Sequence, residues 1–330
     1  MKIFITGASG YVGQRLAIAL AESGFDVHAL VRNIKSTQYL SHPNIKVFYG
    51  DILNPKQIKD AIEGCEAVFH LASLARIWSN NPDDFYLVNV QGTVNVLEAS
   101  LEAQVKRFVH TSSTGVIGPS LKFENTEETP RWSSFNNDYE ISKYQAEQEV
   151  IKYYHKGLPA LIVSPSRIYG PGIDSPSSGV NNFIKGYLKR RIAFVAKNTS
   201  TVGNYAFIED VTKGQILALE KGKAGEKYIL GGENLTFKQL FHHIMKLAPH
   251  KGLIVKVPKR VLKNFAWIQV FMANSLKRYP KITPDLVTRL GQNSAFSSQK
   301  AIDDLGYTIT PFSKGLEETV KFLKSKDISL

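Results

Sequence analysis

A doubly wound parallel α/β sheet with a smaller carboxy-terminal lobe is the fold class this chain predicts, and three observations predict it. A β-branched and aromatic run at the amino terminus leads directly into a glycine-rich turn and a helical pattern. Short apolar runs then alternate with helical patterns, the signature of strands joined by crossover helices. After Gly170-Pro171-Gly172 that alternation weakens, and at 330 residues a single core is already stretched, so a second, smaller unit is expected there.

The first run, Lys2-Ile3-Phe4-Ile5-Thr6, has the composition of a buried strand. Gly7-Ala8-Ser9-Gly10-Tyr11-Val12-Gly13 follows, and the spacing predicts a helix over 11–23. In such a turn the first glycine permits a sharp bend, the second lets backbone approach a pyrophosphate, and the third lets helix and strand pack closely. Phosphates would sit at the helix amino terminus, where unpaired N–H groups and the dipole favour anions. The spacing is Thr-Gly-x-x-Gly-x-x-Gly rather than Gly-x-Gly-x-x-Gly. Runs over 26–31, 45–49, 67–71, 107–111 and 160–164 predict parallel strands, and helices are expected over 55–62, 85–103 and 139–155. A loop through 175–179 precedes a helix near 180–189. A strand near 226–231 should return the chain to the sheet before a helix over 236–247. The expected division is therefore 1–170 and 171–330, without repeats or a long linker.

Bulk properties exclude several classes. A single cysteine, Cys65, rules out an intrachain disulfide and a cysteine-based metal cluster and suits a reducing compartment, so a cytoplasmic protein is expected. His70, His110 and Cys65 lack the spacing of a tetrahedral ligand set, and no metal is expected. Met1-Lys2-Ile3-Phe4-Ile5 runs straight into the glycine turn and does not read as a secretory signal. The net charge of +12 favours acidic ligands and surfaces, but basic residues are spread along the chain, which points away from nucleic acid. One segment stands apart. Residues 259–273, Lys259-Arg260-Val261 through Met272-Ala273, are apolar and flanked by Lys259, Arg260, Lys277 and Arg278. The run is shorter than the roughly 20 apolar residues that span a bilayer. It can lie on a membrane surface, although a helix covering a substrate cleft, or a seam between two subunits, is the favoured reading. A monomer or homodimer is expected.

The chemistry is carried by Asp138-Tyr139-Glu140-Ile141-Ser142-Lys143. Residues four apart share a helix face, so the Lys143 ammonium is expected beside the Tyr139 phenol, favouring its ionised form. A phenol with its ordinary pKa of about 10 exchanges protons poorly near neutrality, and a neighbouring cation lowers that value toward the working pH. The Ser112-Ser113 pair offers a hydroxyl to hold a substrate oxygen. At the end of the second predicted strand stands Arg32, where a dinucleotide fold presents either an acid to a ribose hydroxyl or an arginine to a 2′-phosphate. Arginine has no acceptor for the hydroxyl and binds phosphate well, so NADP is expected rather than NAD.

Thr6 to Gly13, Asp51-Ile52, His70-Leu71-Ala72-Ser73, Asn89, Thr111-Ser112-Ser113, Tyr139 to Lys143 and Pro165 to Gly172 together resemble the extended short-chain dehydrogenase/reductase family, in order and spacing, over nearly the whole chain. The branch most similar holds dihydroflavonol 4-reductases, 3β-hydroxysteroid dehydrogenases and proteins labelled hopanoid-associated sugar epimerases. The resemblance implies a Rossmann domain and a catalytic trio of Ser113, Tyr139 and Lys143, with Lys143 also on the nicotinamide ribose. It implies that Gly7, Gly10, Tyr11, Val12 and Gly13 hold the pyrophosphate and that Asp51 and Ile52 face the adenine. Leu71, Ala72 and Ser73 would pass beneath the ribose and nicotinamide, and Pro165 and Ile168 would position the carboxamide.

Epimerases of the family carry an asparagine and an arginine on the substrate diphosphate where this chain has Arg167 and Gly203. Trp78 and Tyr205, with Leu74 and Ile77, suggest instead a pocket for an apolar or aromatic carbonyl compound, with Arg167 as a further substrate contact. The implied activity is NADPH-dependent reduction of a ketone or aldehyde. A sugar-nucleotide epimerase or dehydratase with retained NAD is the alternative, and a non-catalytic NADP-binding sensor or scaffold is the alternative from another class.

Overall fold

Twelve strands are found among the described residues, 1–175, 177–248, 252–276 and 278–326, with backbone alone at 34–36; Pro176 and Lys277 lie outside them. In this computed structural model they are β1 (Lys2–Thr6), β2 (Asp26–Val31), β3 (Ile45–Tyr49), β4 (Ala67–His70), β5 (Arg107–Thr111), β6 (Ala160–Pro165), β7 (Arg167–Tyr169), β8 (Ile192–Ala196), β9 (Val202–Phe207), β10 (Lys227–Leu230), β11 (Glu233–Thr236) and β12 (Leu253–Val257). Seven of them form one parallel sheet in the order β10-β6-β5-β4-β1-β2-β3. The order reverses beside β1, between β4 and β2, which is where an open α/β sheet leaves a crevice at its carboxyl edge.

The helices are α1 (Tyr11–Glu22), α2 (Pro55–Ile62), α3 (Asp83–Tyr86), α4 (Gly92–Glu102), α5 (Asp138–His155), α6 (Gly179–Arg190), α7 (Ile208–Lys221), α8 (Phe237–Leu247), α9 (Lys259–Leu276), α10 (Pro284–Leu290), α11 (Gln299–Leu305) and α12 (Phe312–Lys326). One apolar layer joins α1, α7 and α11 to the sheet through Ile3, Ile5, Leu16, Leu20 and Tyr307, and the other joins α2, α4 and α5 through Phe4, Val68, Phe108 and Val150. Phe4, Phe69 and Phe108 are fully buried, and each such ring contributes about 2 kcal/mol by leaving water. A third core, built from α6, α8, α12, β7 and β9 around Phe207, Phe241 and Phe312, lies beyond the sheet.

Two elements depart from expectation. The single helix expected over 85–103 is interrupted by a π turn at Leu87–Gln91 that separates α3 from α4. Asn89 in that turn is buried and bonded to two other segments, and those bonds hold a helical geometry that local propensity alone does not favour. The apolar segment expected as a cleft cover or a subunit seam forms α9, and it departs from the cleft cover: only Ala266 and Ala273 are buried, while Val261, Phe265, Trp267, Ile268 and Phe271 are exposed.

Candidate active site

The glycine turn is shaped by contact with the loop after β4. Gly7 has a φ of +74°, and a Cβ there would lie 2.6 Å from the Ala72 amide nitrogen, so only glycine fits. Gly10 caps α1 with extended backbone and no side-chain hydrogen bond, which leaves the first amides of the helix, at Tyr11, Val12 and Gly13, open to an anion. The Tyr11 phenol leaves this surface. It donates to the Gly170 carbonyl at 2.7 Å and accepts from Asn181, and burial raises its pKa. At the far side of the crevice Arg32 follows β2 with its side chain 69% exposed and a guanidinium nitrogen 3.9 Å from Asp51. The other Asp51 oxygen accepts from the Leu53 amide, and Ile52 is buried against Gly92. These features fit a dinucleotide: a backbone cradle for phosphates at one end and a cation free to turn at the other.

A buried polar chain ties the crevice to α5. Thr6 Oγ1 and His70 Nδ1 lie 2.7 Å apart, His70 Nε2 and Thr93 Oγ1 2.9 Å, and the Thr93 hydroxyl donates to the Asn89 carbonyl. Because Thr93 donates onward, His70 carries its proton on Nε2 and accepts from Thr6. Burial pushes the His70 pKa down to about 3, so the ring stays neutral and this polarity is fixed. The Asn89 side chain accepts from the Leu74 amide at 2.6 Å and donates to Ser142 Oγ at 2.9 Å, joining the loop after β4 to the helix of Tyr139. Leu71, Ala72 and Ser73, half-buried, form the start of that loop.

Asn137 caps α5 through the Glu140 amide, and Asp138 and Glu140 in the first turn complement the helix dipole, so Tyr139 is held at a well-formed helix start. Ser113 lies beside the Tyr139 phenol and favours its ionised form, whereas the hydroxyl of its neighbour Ser112 is buried without a partner among the described residues. The expected pairing of Lys143 with Tyr139 is not formed. Lys143 turns inward beneath the end of β5, where its ammonium donates to the Thr111 carbonyl at 2.7 Å and to His110 Nε2 at 3.2 Å. A carbonyl at a strand end and a neutral imidazole offer more to a buried ammonium than a protonated phenol does. Burial lowers the Lys143 pKa to about 8. Burial raises that of Tyr139, and the cation whose field opposes this is Arg289, at the end of α10.

Arg289, which sequence reasoning missed, belongs to a cationic group around one carboxylate. Glu140 is buried and bonded to Arg131 at 2.9 Å, with Arg289 Nε 3.9 Å from its other oxygen. Arg131 also donates to the carbonyls of Gly115, Val116, Ser133 and Ser134, which fixes the loop between β5 and α5. Arg167, Arg289, Asn204 and Ser294 line a recess with Glu140 and Thr114. The carboxamide-side candidates lie nearby: Pro165 ends β6 and accepts from the Thr114 amide, and Ile168 in β7 packs on the core. Gly203 explains how Arg167 reaches the recess, since any side chain there would collide with its guanidinium. Tyr205 does not line an apolar wall. It is 3% exposed, its ring packs edge-on to Phe312, and the Arg167 guanidinium lies over that ring at 5.7 Å with a nitrogen 3.5 Å from its hydroxyl. Trp78 is not among the residues lining that recess and stands half-buried, edge-on to Tyr279.

The sequence pattern of the NAD dependent epimerase/dehydratase family matches residues 3–231, from β1 through β10. The chain belongs to that family. It is an NAD(P)-dependent enzyme of the extended short-chain dehydrogenase/reductase type. It is 30% identical to a putative dihydroflavonol 4-reductase of Synechocystis sp., over 98% of this chain and 94% of that protein. Sterol demethylase protein B of Methylococcus capsulatus is 28% identical over 99% of both. Among solved structures, gox2253 superposes with a TM-score of 0.82 at 31% identity, covering 98% of each chain.

Proposed function

We propose that this family member reduces a ketone or aldehyde of an apolar or aromatic small molecule, with NADPH as reductant. The observation that carries the reading is Ser113 set beside a Tyr139 phenol whose pKa is raised by burial. A phenol that keeps its proton at neutral pH is a reservoir for protonating a carbonyl oxygen, and Ser113 is placed to hold that oxygen. Arg289 then stabilises the phenolate left behind. The cofactor, when bound, supplies the hydride. We assign the pyrophosphate to the turn of Gly7, Gly10, Tyr11, Val12 and Gly13, and the 2′-phosphate to Arg32. Asp51 and Ile52 are assigned to the adenine, Leu71 to Ser73 to the ribose side, Lys143 to the nicotinamide ribose, and Pro165 and Ile168 to the carboxamide. Residues 1–170 then form mainly the cofactor domain and 171–330 mainly the substrate lobe. The loop bearing Leu74, Ile77 and Trp78 supplies the apolar side of the substrate site, and Arg167 the polar side.

One observation favours a second reading. Arg167 and Arg289 line one recess with a single carboxylate, Glu140, between them and Arg131, and a diphosphate would satisfy that excess of cations. An epimerase built this way would retain NAD and consume no added cofactor.

Binding of NADPH and NADH to the wild type and to Arg32→Ala, followed by calorimetry, tests the cofactor. The variant should bind NADPH roughly 10- to 100-fold more weakly and NADH unchanged, as loss of a charged hydrogen bond predicts. NADPH oxidation with a series of aromatic and aliphatic carbonyls, abolished in Tyr139→Phe, tests the reaction. Tightly held NAD, indifferent to Arg32, would replace the reductase by the epimerase. Undiminished NADPH binding without turnover of any carbonyl would leave a sensor.

A further inference from the structure

The segment Lys259–Leu276 presents a surface that the enzymatic reading does not use. Along α9, Val261, Phe265, Ile268 and Met272 follow a four-three-four spacing that places them on one stripe, with Phe271 and Trp267 beside it. All six are exposed, Phe271 by 72%, Trp267 by 62% and Ile268 by 57%. The opposite face is the docked one, where Ala266 and Ala273, seven residues and so almost two full turns apart, are both buried. An apolar face of this size on one helix marks an interaction site. The strand leading into the helix extends the surface, since β12 pairs with β8 and leaves Leu253 exposed opposite an exposed Ile192.

Charge identifies the partner. From Asn234 to Pro284 the chain contains ten lysines and arginines and no aspartate or glutamate. The rest of the chain carries 31 basic against 29 acidic residues, so this stretch supplies most of the net charge of +12. Lys259, Arg260 and Lys263 lie on the first turns of α9, and Arg278 just beyond its end. Among the described residues no helix is long and apolar enough to cross a membrane. An apolar face within a wholly basic stretch, on a helix too short to span, has the physics of an element lying in the headgroup region of an anionic bilayer.

We propose that α9 is a peripheral membrane-binding helix that inserts Phe265, Trp267, Ile268 and Phe271 between anionic lipids. A subunit seam would bring two copies of this basic stretch together with no acid in it to pair them, which argues against that occupant.

The test is co-sedimentation of the full chain with vesicles of phosphatidylcholine alone, and with about one third phosphatidylglycerol. It is run beside Trp267→Ser/Phe271→Ser and Lys259→Glu/Arg260→Glu/Lys263→Glu, with NADPH binding as the check that each variant is folded. The wild type should bind the anionic vesicles, release them as salt rises, and shift its tryptophan emission to the blue, a shift absent in Trp267→Phe. The charge variant should bind roughly a hundredfold more weakly, at about 1 kcal/mol for each surface cation. Failure to bind either vesicle, or binding unchanged in the two multiple variants, overturns the proposal. So does a concentration-dependent dimer in ultracentrifugation that Trp267→Ser/Phe271→Ser dissolves while lipid binding is absent, which would make the face a subunit interface.

Discussion

Lys143→Met should make the protein more stable and less active, with a stability gain that fades as pH rises. The side chain is 2% exposed, and in the fold its pKa falls from an ordinary 10.5 to about 8 because burial penalises the charged form. At about 1.4 kcal/mol per pH unit, keeping the ammonium buried at pH 7 costs about 3 kcal/mol. Methionine fills a similar volume without charge but leaves the Thr111 carbonyl and His110 Nε2 without their donor, which returns about 1–2 kcal/mol of that gain. The net expectation is about 1–2 kcal/mol, or a rise of roughly 1–3 °C in Tm for a protein of this size. The sign with pH follows from linkage. Between pH 8 and 10.5 the unfolded chain binds the proton more tightly than the folded one, so the wild type gains stability across that window and the variant does not. Thermal unfolding of both proteins at pH 7 and pH 9.5, without cofactor, reads the difference. A variant destabilised equally at both values, or an advantage that grows with pH, would show that the ammonium is not penalised where it lies.

The remaining expectations concern the groups around it. Glu140→Gln removes the charge that Arg131 and Arg289 share, and should cost about 3–5 kcal/mol, read as a lowered denaturation midpoint. Gly203→Ala should leave the fold intact while displacing the Arg167 guanidinium, raising KM for substrate several-fold with NADPH binding unchanged in calorimetry. Asn89→Ala removes the bonds to Leu74 and Ser142, which should lower kcat by more than tenfold and speed amide exchange at Leu74 measured by mass spectrometry.

What the sequence showed best was local. The glycine turn, the apolar strands and the Tyr-x-x-x-Lys spacing depend on neighbours a few residues away, and Lys227–Leu230 was legible as a returning strand because its apolar run is short and bounded. Lys143 was misread because helix periodicity gives the face a side chain leaves from, not where four methylenes carry the charge. Its acceptors, Thr111 and His110, lie on a strand some thirty residues earlier. Arg289 and Arg131 gave no signal at all. Neither sits in a recognisable spacing with Tyr139, and only the packing of α10 and the loop before α5 brings them to Glu140. Tyr205 looked like a pocket wall because aromatic composition does not distinguish a lining from a core.

The π turn at Leu87–Gln91 sets the helix against the crevice beside it. One residue fewer there would let α3 and α4 run on as a single α-helix with a regular ladder, which is the locally preferred geometry. It would also swing Asn89 by about 100° around the axis, away from both Leu74 and Ser142. Selection for thermal robustness alone would therefore drift toward deletion in this segment, and selection for turnover would restore the extra residue. A library of single-residue deletions across 87–91, sorted separately for expression and for activity, would separate the two pressures at one turn of backbone.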